Sequence, residues 1–262
     1  MGSEEIGPVR TVTSSVFNAF VLWTILGWGI VGVAGALFFL GYLDFENSGR
    51  IGLYSVSIWL NGWMIAWFMG KRDTKEQRLA VYHDCVVVWA ICYAMTNLLW
   101  EVPWVLFSPA VFEDLNTLED LTALTPWMRE SLGNMYFWVL SAFGAVDLRT
   151  VNHEGAFYAV EFFCFTNIAS TVVFYYLNKK RSINRYLVPV IFCGQPIAAT
   201  FIFTFSEVFN GYANMPGGIA DTLLALVWTQ YQYFFFPMIT GAMSVALLRE
   251  DWRGDSAKKA GN

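Results

Sequence analysis

Six long apolar runs divide the chain, and they limit its fold more than any other feature of the sequence. A helix needs roughly 20 apolar residues to cross the hydrocarbon core of a bilayer. Runs of about that length occur near residues 16–43, 51–69, 79–106, 155–177, 186–209 and 219–248. Backbone polar groups cannot stay unpaired in lipid, and no run alternates with a period of two, so each run is predicted to be a helix. The sequence therefore predicts an all-α polytopic membrane bundle of about six transmembrane helices.

The shortage of charge supports a bilayer environment. Charged residues make up 14% of the 262 residues and hydrophobic ones 56%, whereas a soluble domain carries roughly 25% charged residues. There is no basic stripe that would neutralise phosphates, so we expect no nucleic-acid partner. The polar N-terminus, residues 1–15, lacks the pattern of a cleaved signal peptide, and the first run is predicted to be retained.

The connecting segments alternate in charge. Basic residues gather at 71–78, 179–185 and 249–259, whereas the other connections carry acidic residues or little charge. The positive-inside rule then predicts a multi-pass protein with both termini in the cytoplasm. The host membrane would be the endoplasmic reticulum in a eukaryote or the cytoplasmic membrane in a bacterium. Residues 16–78 form a predicted N-terminal hairpin of two spans, and residues 249–262 a C-terminal tail that we expect to be disordered after Trp252.

A long connection, 108–154, joins the third and fourth runs. Its short apolar stretch, 135–146, cannot cross a bilayer. We expect an interfacial or re-entrant helix there, covering a cavity.

Apart from Asp84 and Asp221 near the starts of their runs, three carboxyl groups lie inside the apolar runs, where ionisable residues are expensive: Glu101, Glu161 and Glu207. Other polar and aromatic residues share their helix faces by spacings of three and four. In the third run these are Tyr93, Asn97, Glu101 and Trp104, with Trp100 on the flank; in the sixth they are Gln230, Tyr233 and Pro237. In the fifth run Gln195 precedes Pro196, which frees a backbone carbonyl.

Polar faces on several helices, backed by aromatic rings, are typical of an intramembrane pocket. Desolvation disfavours the charged form of a carboxyl group, so one glutamate could act as an acid while another stays ionised as a base. Trp100 and Trp104 would stabilise a cation through their rings. The alternative is that these groups only hydrogen-bond between helices. Two histidines, His83 and His153, lie at run ends and every lysine lies in a connection or tail, so we expect neither a metal site nor a cofactor.

The order of these residues resembles the emopamil-binding protein family, whose members share the EXPERA domain and include sterol Δ8–Δ7 isomerases and sigma-2-receptor relatives. The resemblance covers residues 97–248. It implies that residues 79–248, from the start of the third run, form a helix bundle like that of the family. Five short matches carry it in order: 97–101 (NLLWE), 144–149 (GAVDLR), Glu161 fourteen residues after Asp147, 203–211 (FTFSEVFNG), and Gln230 with Tyr233 and Pro237.

The chain departs from the family pattern at several positions. Asn97 stands where the isomerases have a histidine that takes part in proton transfer. Gln230 and Tyr233 stand where the family has Asn and Trp. The first one or two runs have no counterpart in the five-span family. The fold therefore carries over more directly than the isomerase reaction does.

The resemblance implies an isomerase that acts without a cofactor on a sterol-like or terpenoid lipid. Protonation of a double bond would give a carbocation, and loss of another proton would shift the double bond. Glu101 is the predicted proton donor or acceptor, Glu161 the stabilising or shuttling carboxylate, and Asn97 an orienting residue. The residues predicted to contact the substrate are Tyr93, Trp100, Trp104, Gln195, Glu207, Gln230 and Tyr233.

Two other functions stay open at this point. A membrane terpene cyclase would use the same acid-initiated chemistry and a similar Trp-Glu pair, as in Trp100-Glu101. A sterol- or lipid-binding protein without catalysis would need the pocket but not the proton transfer. The expected partners are a hydrophobic small molecule and membrane lipids, and the sequence leaves a homodimer open.

Overall fold

The computed structural model describes residues 6–112, 115–152 and 154–260. Six of its helical segments are long and apolar enough to cross a membrane, and we number them as spans in chain order. They are Ser14–Phe39, Phe45–Met69, Lys75–Val111, Gly155–Lys179, Leu187–Phe209 and Ile219–Ala257. Among the described residues the backbone pairs in β fashion at an isolated bridge, Ile6 with Ser182. The predicted all-α bundle of six spans is confirmed.

Most spans are built from more than one helix. The second contains Phe45–Leu60 and Trp63–Met69, the fourth Gly155–Glu161 and Phe163–Lys179, and the fifth Leu187–Phe192 and Gly194–Phe209. The third runs through Lys75–Thr96, the π-helical turn Asn97–Glu101 and Val102–Val111. The sixth runs through Ile219–Thr222, the π-helical turn Leu223–Trp228 and the helix Tyr231–Ala260. π-Helical turns are rare and occur frequently at functional sites.

The last helix corrects the prediction of a disordered tail. Tyr231–Ala260 continues past Trp252 without a break. The helix is held to the bundle at Asp251, which is buried and accepts hydrogen bonds from Arg10 (2.6 Å) and Arg185 (3.0 Å). The N-terminal segment and the C-terminal helix therefore meet at one end of the bundle, together with the basic connections.

Prolines inside the third span free carbonyl groups that tyrosines from other elements then satisfy. A proline lacks the N–H that would bond to the carbonyl four residues earlier. Pro103 frees the carbonyl of Leu99, which accepts from the Tyr136 hydroxyl at 2.6 Å. Pro109 does the same for Val105, which accepts from Tyr158 at 3.2 Å. These bonds tie the third span to the long connection and to the fourth span.

The connection between the third and fourth spans forms several short helices. They are Leu118–Ala123, Thr125–Met128, Leu132–Ser141, the 3-10 turn Ala142–Ala145, and Arg149–Asn152. Trp138 inserts between the first two spans, where its ring stacks on Phe38 (5.8 Å) and its indole N–H donates to Ser48 (2.9 Å). Gly35 makes room for it, since a Cβ there would lie 2.9 Å from the ring.

The predicted N-terminal hairpin is packed into the rest of the bundle. Val16 and Trp59 belong to the same buried apolar cluster as Phe174 and Leu247. A second cluster joins Phe38 of the first span to Trp104 and Phe203. The first two spans thus form part of the wall around the interior.

Candidate intramembrane acid site

A partly open cavity lies in the middle of the bundle. Its volume is about 150 Å³. All six spans contribute to its wall, and so do Trp138, Val139, Ala142 and Phe143 of the long connection. The short apolar stretch predicted to cover a cavity therefore forms one of its walls.

Six of the ten residues predicted for the site line this cavity. They are Tyr93, Trp100, Glu101, Glu161, Gln230 and Tyr233. They come from the third, fourth and sixth spans, and two of them, Trp100 and Glu101, belong to the first π-helical turn. Gln230 follows the second π-helical turn after one residue. Both irregular turns thus lie beside the cavity.

Contacts between the third and fourth spans fix the relative depth of the two glutamates. At one end the rings of Trp104 and Phe157 are 5.3 Å apart. At the other end Asn167 Nδ2 lies 3.2 Å from Asn97 Oδ1. Glu101 lies between Asn97 and Trp104 on the third span, and Glu161 lies between Phe157 and Asn167 on the fourth, so the two glutamates are at a similar level.

Neither glutamate is neutralised by a direct partner. Within the described ranges, no hydrogen bond or ion pair is formed by the carboxyl group of Glu101 or Glu161, and both side chains are half-buried against the cavity. Two interacting carboxyl groups in a low-dielectric site tend to hold one proton between them, because like charges at close range disfavour double ionisation.

Aromatic rings form a large part of the wall. Besides Tyr93, Trp100 and Tyr233, the cavity is lined by aromatic residues from the first, fourth and fifth spans and from the long connection: Trp28, Trp138, Phe143, Phe157, Phe163 and Phe203. The faces of such rings carry negative charge density and attract cations by roughly 0.5–2 kcal/mol each. The cavity therefore combines a proton source with walls suited to a positively charged intermediate.

Four predicted site residues lie outside the cavity wall. Asn97 is buried behind it, where its Nδ2 donates to the Tyr93 carbonyl at 2.7 Å. Trp104 is buried as well, stacks on Trp100 at 5.9 Å and donates to the Thr150 carbonyl at 3.0 Å. Gln195 accepts from Thr166 at 3.3 Å at an exposed position. The first two support the wall, whereas Gln195 is not part of it, although its neighbour Pro196 lines the cavity.

The fourth residue outside the wall, Glu207, belongs to a separate buried cluster. Arg149 donates to Asp147 through Nε (2.9 Å) and Nη2 (2.6 Å), and its Nε lies 3.5 Å from Glu207 Oε2. Glu207 also accepts from the backbone and side-chain nitrogens of Asn214, at 2.9 and 2.8 Å. The Arg149 guanidinium covers the ring of Phe203 at 4.2 Å, and that ring lines the cavity. Glu207 thus acts on the cavity indirectly.

Several polar residues of the wall were not predicted from the sequence. Thr96, Asn167, Thr200 and Thr229 all line the cavity. Asn167 follows Glu161 by six residues, and its polar side chain in an apolar run was a usable signal. The threonines carry no such signal, since a threonine in a transmembrane helix commonly bonds to its own backbone.

No family model, curated protein or solved structure matches this chain significantly. The fold and the site therefore define its class by themselves. The chain is an all-α polytopic membrane protein with an aromatic intramembrane cavity that contains two carboxyl groups. Within the described residues no group of three or more His, Cys, Asp or Glu side chains could hold a metal ion.

Proposed function

We propose that this protein is a membrane isomerase that shifts a double bond in a sterol-like or terpenoid lipid. The observation that carries the proposal is the pair formed by Glu101 and Glu161. They lie at a similar level, face one cavity and have no direct partner among the described side chains. Packing alone rarely requires two carboxyl groups at such a depth.

The proposed reaction needs one proton and returns it. One carboxylic acid protonates a carbon of the double bond, which forms a C–H bond and leaves a carbocation on the neighbouring carbon. The other carboxylate removes a proton from the carbon on the far side of the cation, and the electron pair of that C–H bond forms the new double bond. The carboxyl that gained a proton releases it to water and the other takes one up from water, so the site is regenerated without a cofactor and the added hydrogen comes from solvent.

The two glutamates divide the roles of proton donor and proton acceptor. Trp100, at the half-buried edge of the cavity, would stabilise the cation between them.

Incubation of the purified protein with a Δ8-sterol in heavy water tests the proposal. The expected result is a Δ7 product that carries one deuterium from solvent. Glu101→Gln and Glu161→Gln should each abolish turnover, and Glu119→Gln, a matched change at an exposed position of the long connection, should not. Full activity in both cavity variants would refute the site.

Other products would identify a different function. A cyclised product from an epoxy-polyprenyl substrate would favour a terpene cyclase. Tight sterol binding without deuterium incorporation would favour a lipid-binding protein.

We also propose that both termini are cytoplasmic. The N-terminal segment, the basic connections and the C-terminal helix meet at one end, as the contacts of Asp251 with Arg10 and Arg185 show. Positive charge is retained on the cytoplasmic side. A thiol reagent that cannot cross membranes should label Glu119→Cys in intact cells, and it should label Lys71→Cys only after the cells are permeabilised. The reverse pattern would invert the topology.

A further inference from the structure

A second polar site lies in the same cavity, away from the carboxyl pair, at Asn167 and Tyr93. Both side chains line the cavity and are 1% and 4% exposed. Asn167 Nδ2 donates to the Tyr93 hydroxyl at 2.7 Å and to Asn97 Oδ1 at 3.2 Å. These contacts leave one acceptor and one donor unused.

The unused acceptor is Asn167 Oδ1, which has no hydrogen-bond partner in the part of the chain that the structure describes. Its orientation is fixed by the neighbouring amide. Asn97 Nδ2 donates to the Tyr93 carbonyl, which can only accept, so Asn97 Oδ1 faces Asn167. The group of Asn167 that meets this oxygen must be its NH₂, and the amide oxygen is turned to the other side.

The unused donor is the hydroxyl hydrogen of Tyr93. The Tyr93 oxygen accepts from an amide nitrogen that has no lone pair to offer, so its own hydrogen is not used in that bond. A buried polar group without a partner is unfavourable. A ligand that supplies both partners would relieve two such groups at once.

From these contacts we infer that Tyr93 and Asn167 form a subsite for a ligand hydroxyl group. A hydroxyl oxygen accepts from Tyr93, and its hydrogen is donated to Asn167 Oδ1. A ketone or an ether can accept but cannot donate, so it would leave Asn167 Oδ1 unpaired. The subsite therefore selects an alcohol.

The position of the subsite also limits the shape of the ligand. Asn167 follows Glu161 by six residues, and Asn97, which contacts the same amide, precedes Glu101 by four. At 1.5 Å per residue the subsite is roughly 6–9 Å along the spans from the carboxyl pair. A rigid fused polycycle covers such a distance, and a single ring does not. The inference rests on the proposed function for its substrate class and adds where the alcohol of that substrate is held.

Equilibrium binding to the purified full-length protein tests the subsite without reference to turnover. The probes are a radiolabelled Δ8-sterol with a free 3-hydroxyl group, its 3-ketone and its 3-methyl ether. The alcohol should bind roughly tenfold to a hundredfold more tightly than either analogue. The ketone is smaller than the ether, so a steric clash would weaken binding of the ether more. Equal losses of affinity for both analogues would therefore exclude a steric cause.

Two variants separate the roles of the two residues. Asn167→Leu should weaken binding of the alcohol but not of the ketone, and so abolish the preference. Tyr93→Phe should weaken both, because both accept from Tyr93. Matched controls are Thr171→Val, one turn further along the fourth span and outside the cavity wall, and Tyr175→Phe, which is 67% exposed. Both should retain the preference.

The outcomes distinguish this inference from the proposed function. Equal binding of alcohol and ketone by the unaltered protein, or a preference that survives Asn167→Leu, overturns the subsite and leaves the isomerase proposal standing. A clear preference without deuterium incorporation supports the subsite and overturns the isomerase. If none of the three sterols binds, both fall.

Discussion

Replacing Arg149 with leucine should be among the most destabilising single changes in this protein. Its guanidinium is fully buried between Asp147 and Glu207 and also donates to the Phe203 carbonyl (2.7 Å) and the Ser206 hydroxyl (2.8 Å). Burial already raises the pKa of the Asp147 carboxyl, even with the opposing effect of Arg149 beside it. The carboxyl groups therefore depend on this cation for what stabilisation they have.

The magnitude follows from what the change leaves behind. Removing one partner of a buried ion pair destabilises a protein by about 3–5 kcal/mol, because the other charge stays buried without compensation. That loss shifts the unfolding equilibrium by roughly two to four orders of magnitude. Arg149→Lys should lose less, since it keeps the charge but not the two-pronged contact with Asp147.

Unfolding in mixed detergent micelles with increasing dodecyl sulfate, followed by tryptophan fluorescence, measures the effect. The matched control is Arg253→Leu, whose side chain is 75% exposed and pairs with Glu250. An exposed pair contributes roughly 0–1 kcal/mol. If Arg149→Leu destabilises the protein no more than Arg253→Leu does, the buried cluster does not stabilise the fold and the reasoning is wrong.

Three further changes test the packing, the N-terminal contacts and the limits of the site. Gly35→Ala should destabilise by about 1–3 kcal/mol, because its Cβ would lie 2.9 Å from a tryptophan ring, whereas Gly32→Ala, with open space around it, should be neutral or slightly stabilising in the same unfolding assay. Arg10→Gln should expose the N-terminal segment to limited proteolysis, because it removes an ion pair to a buried aspartate; unchanged cleavage rates would contradict this. Gln195→Ala should leave sterol turnover unchanged, since Gln195 lies outside the cavity wall, and a loss beyond twofold would return it to the site.

Part of the candidate site was predictable because helix periodicity is a local property. The spacing from Tyr93 to Glu101 places both residues towards one side of the third span, and both line the cavity. The intramembrane carboxyl groups at 101 and 161 stood out because charge is rare in apolar runs. The same rule selected Glu207, which lies instead in a buried ion cluster with Arg149.

The different placement of Glu207 has a physical cause that the sequence does not contain. A carboxyl group within an apolar run must face a partner or a cavity, but the run does not say which. For Glu207 the partners are Arg149 of the long connection and Asn214 of the connection between the fifth and sixth spans, and their position depends on how those connections pack. The role of Asn167 is of the same kind, because an unused acceptor is known only after every neighbouring donor has been placed.

The sequence by itself determined the six spans, the absence of sustained strand patterns and the two carboxyl groups of the cavity. These follow from the free energy of placing each side chain and each backbone group in lipid, which is additive along the chain. The tertiary structure decided which polar atoms meet, where the cavity lies, and that the first two spans and Trp138 form its walls. Those features depend on distances between residues far apart in the chain, and no local pattern encodes them.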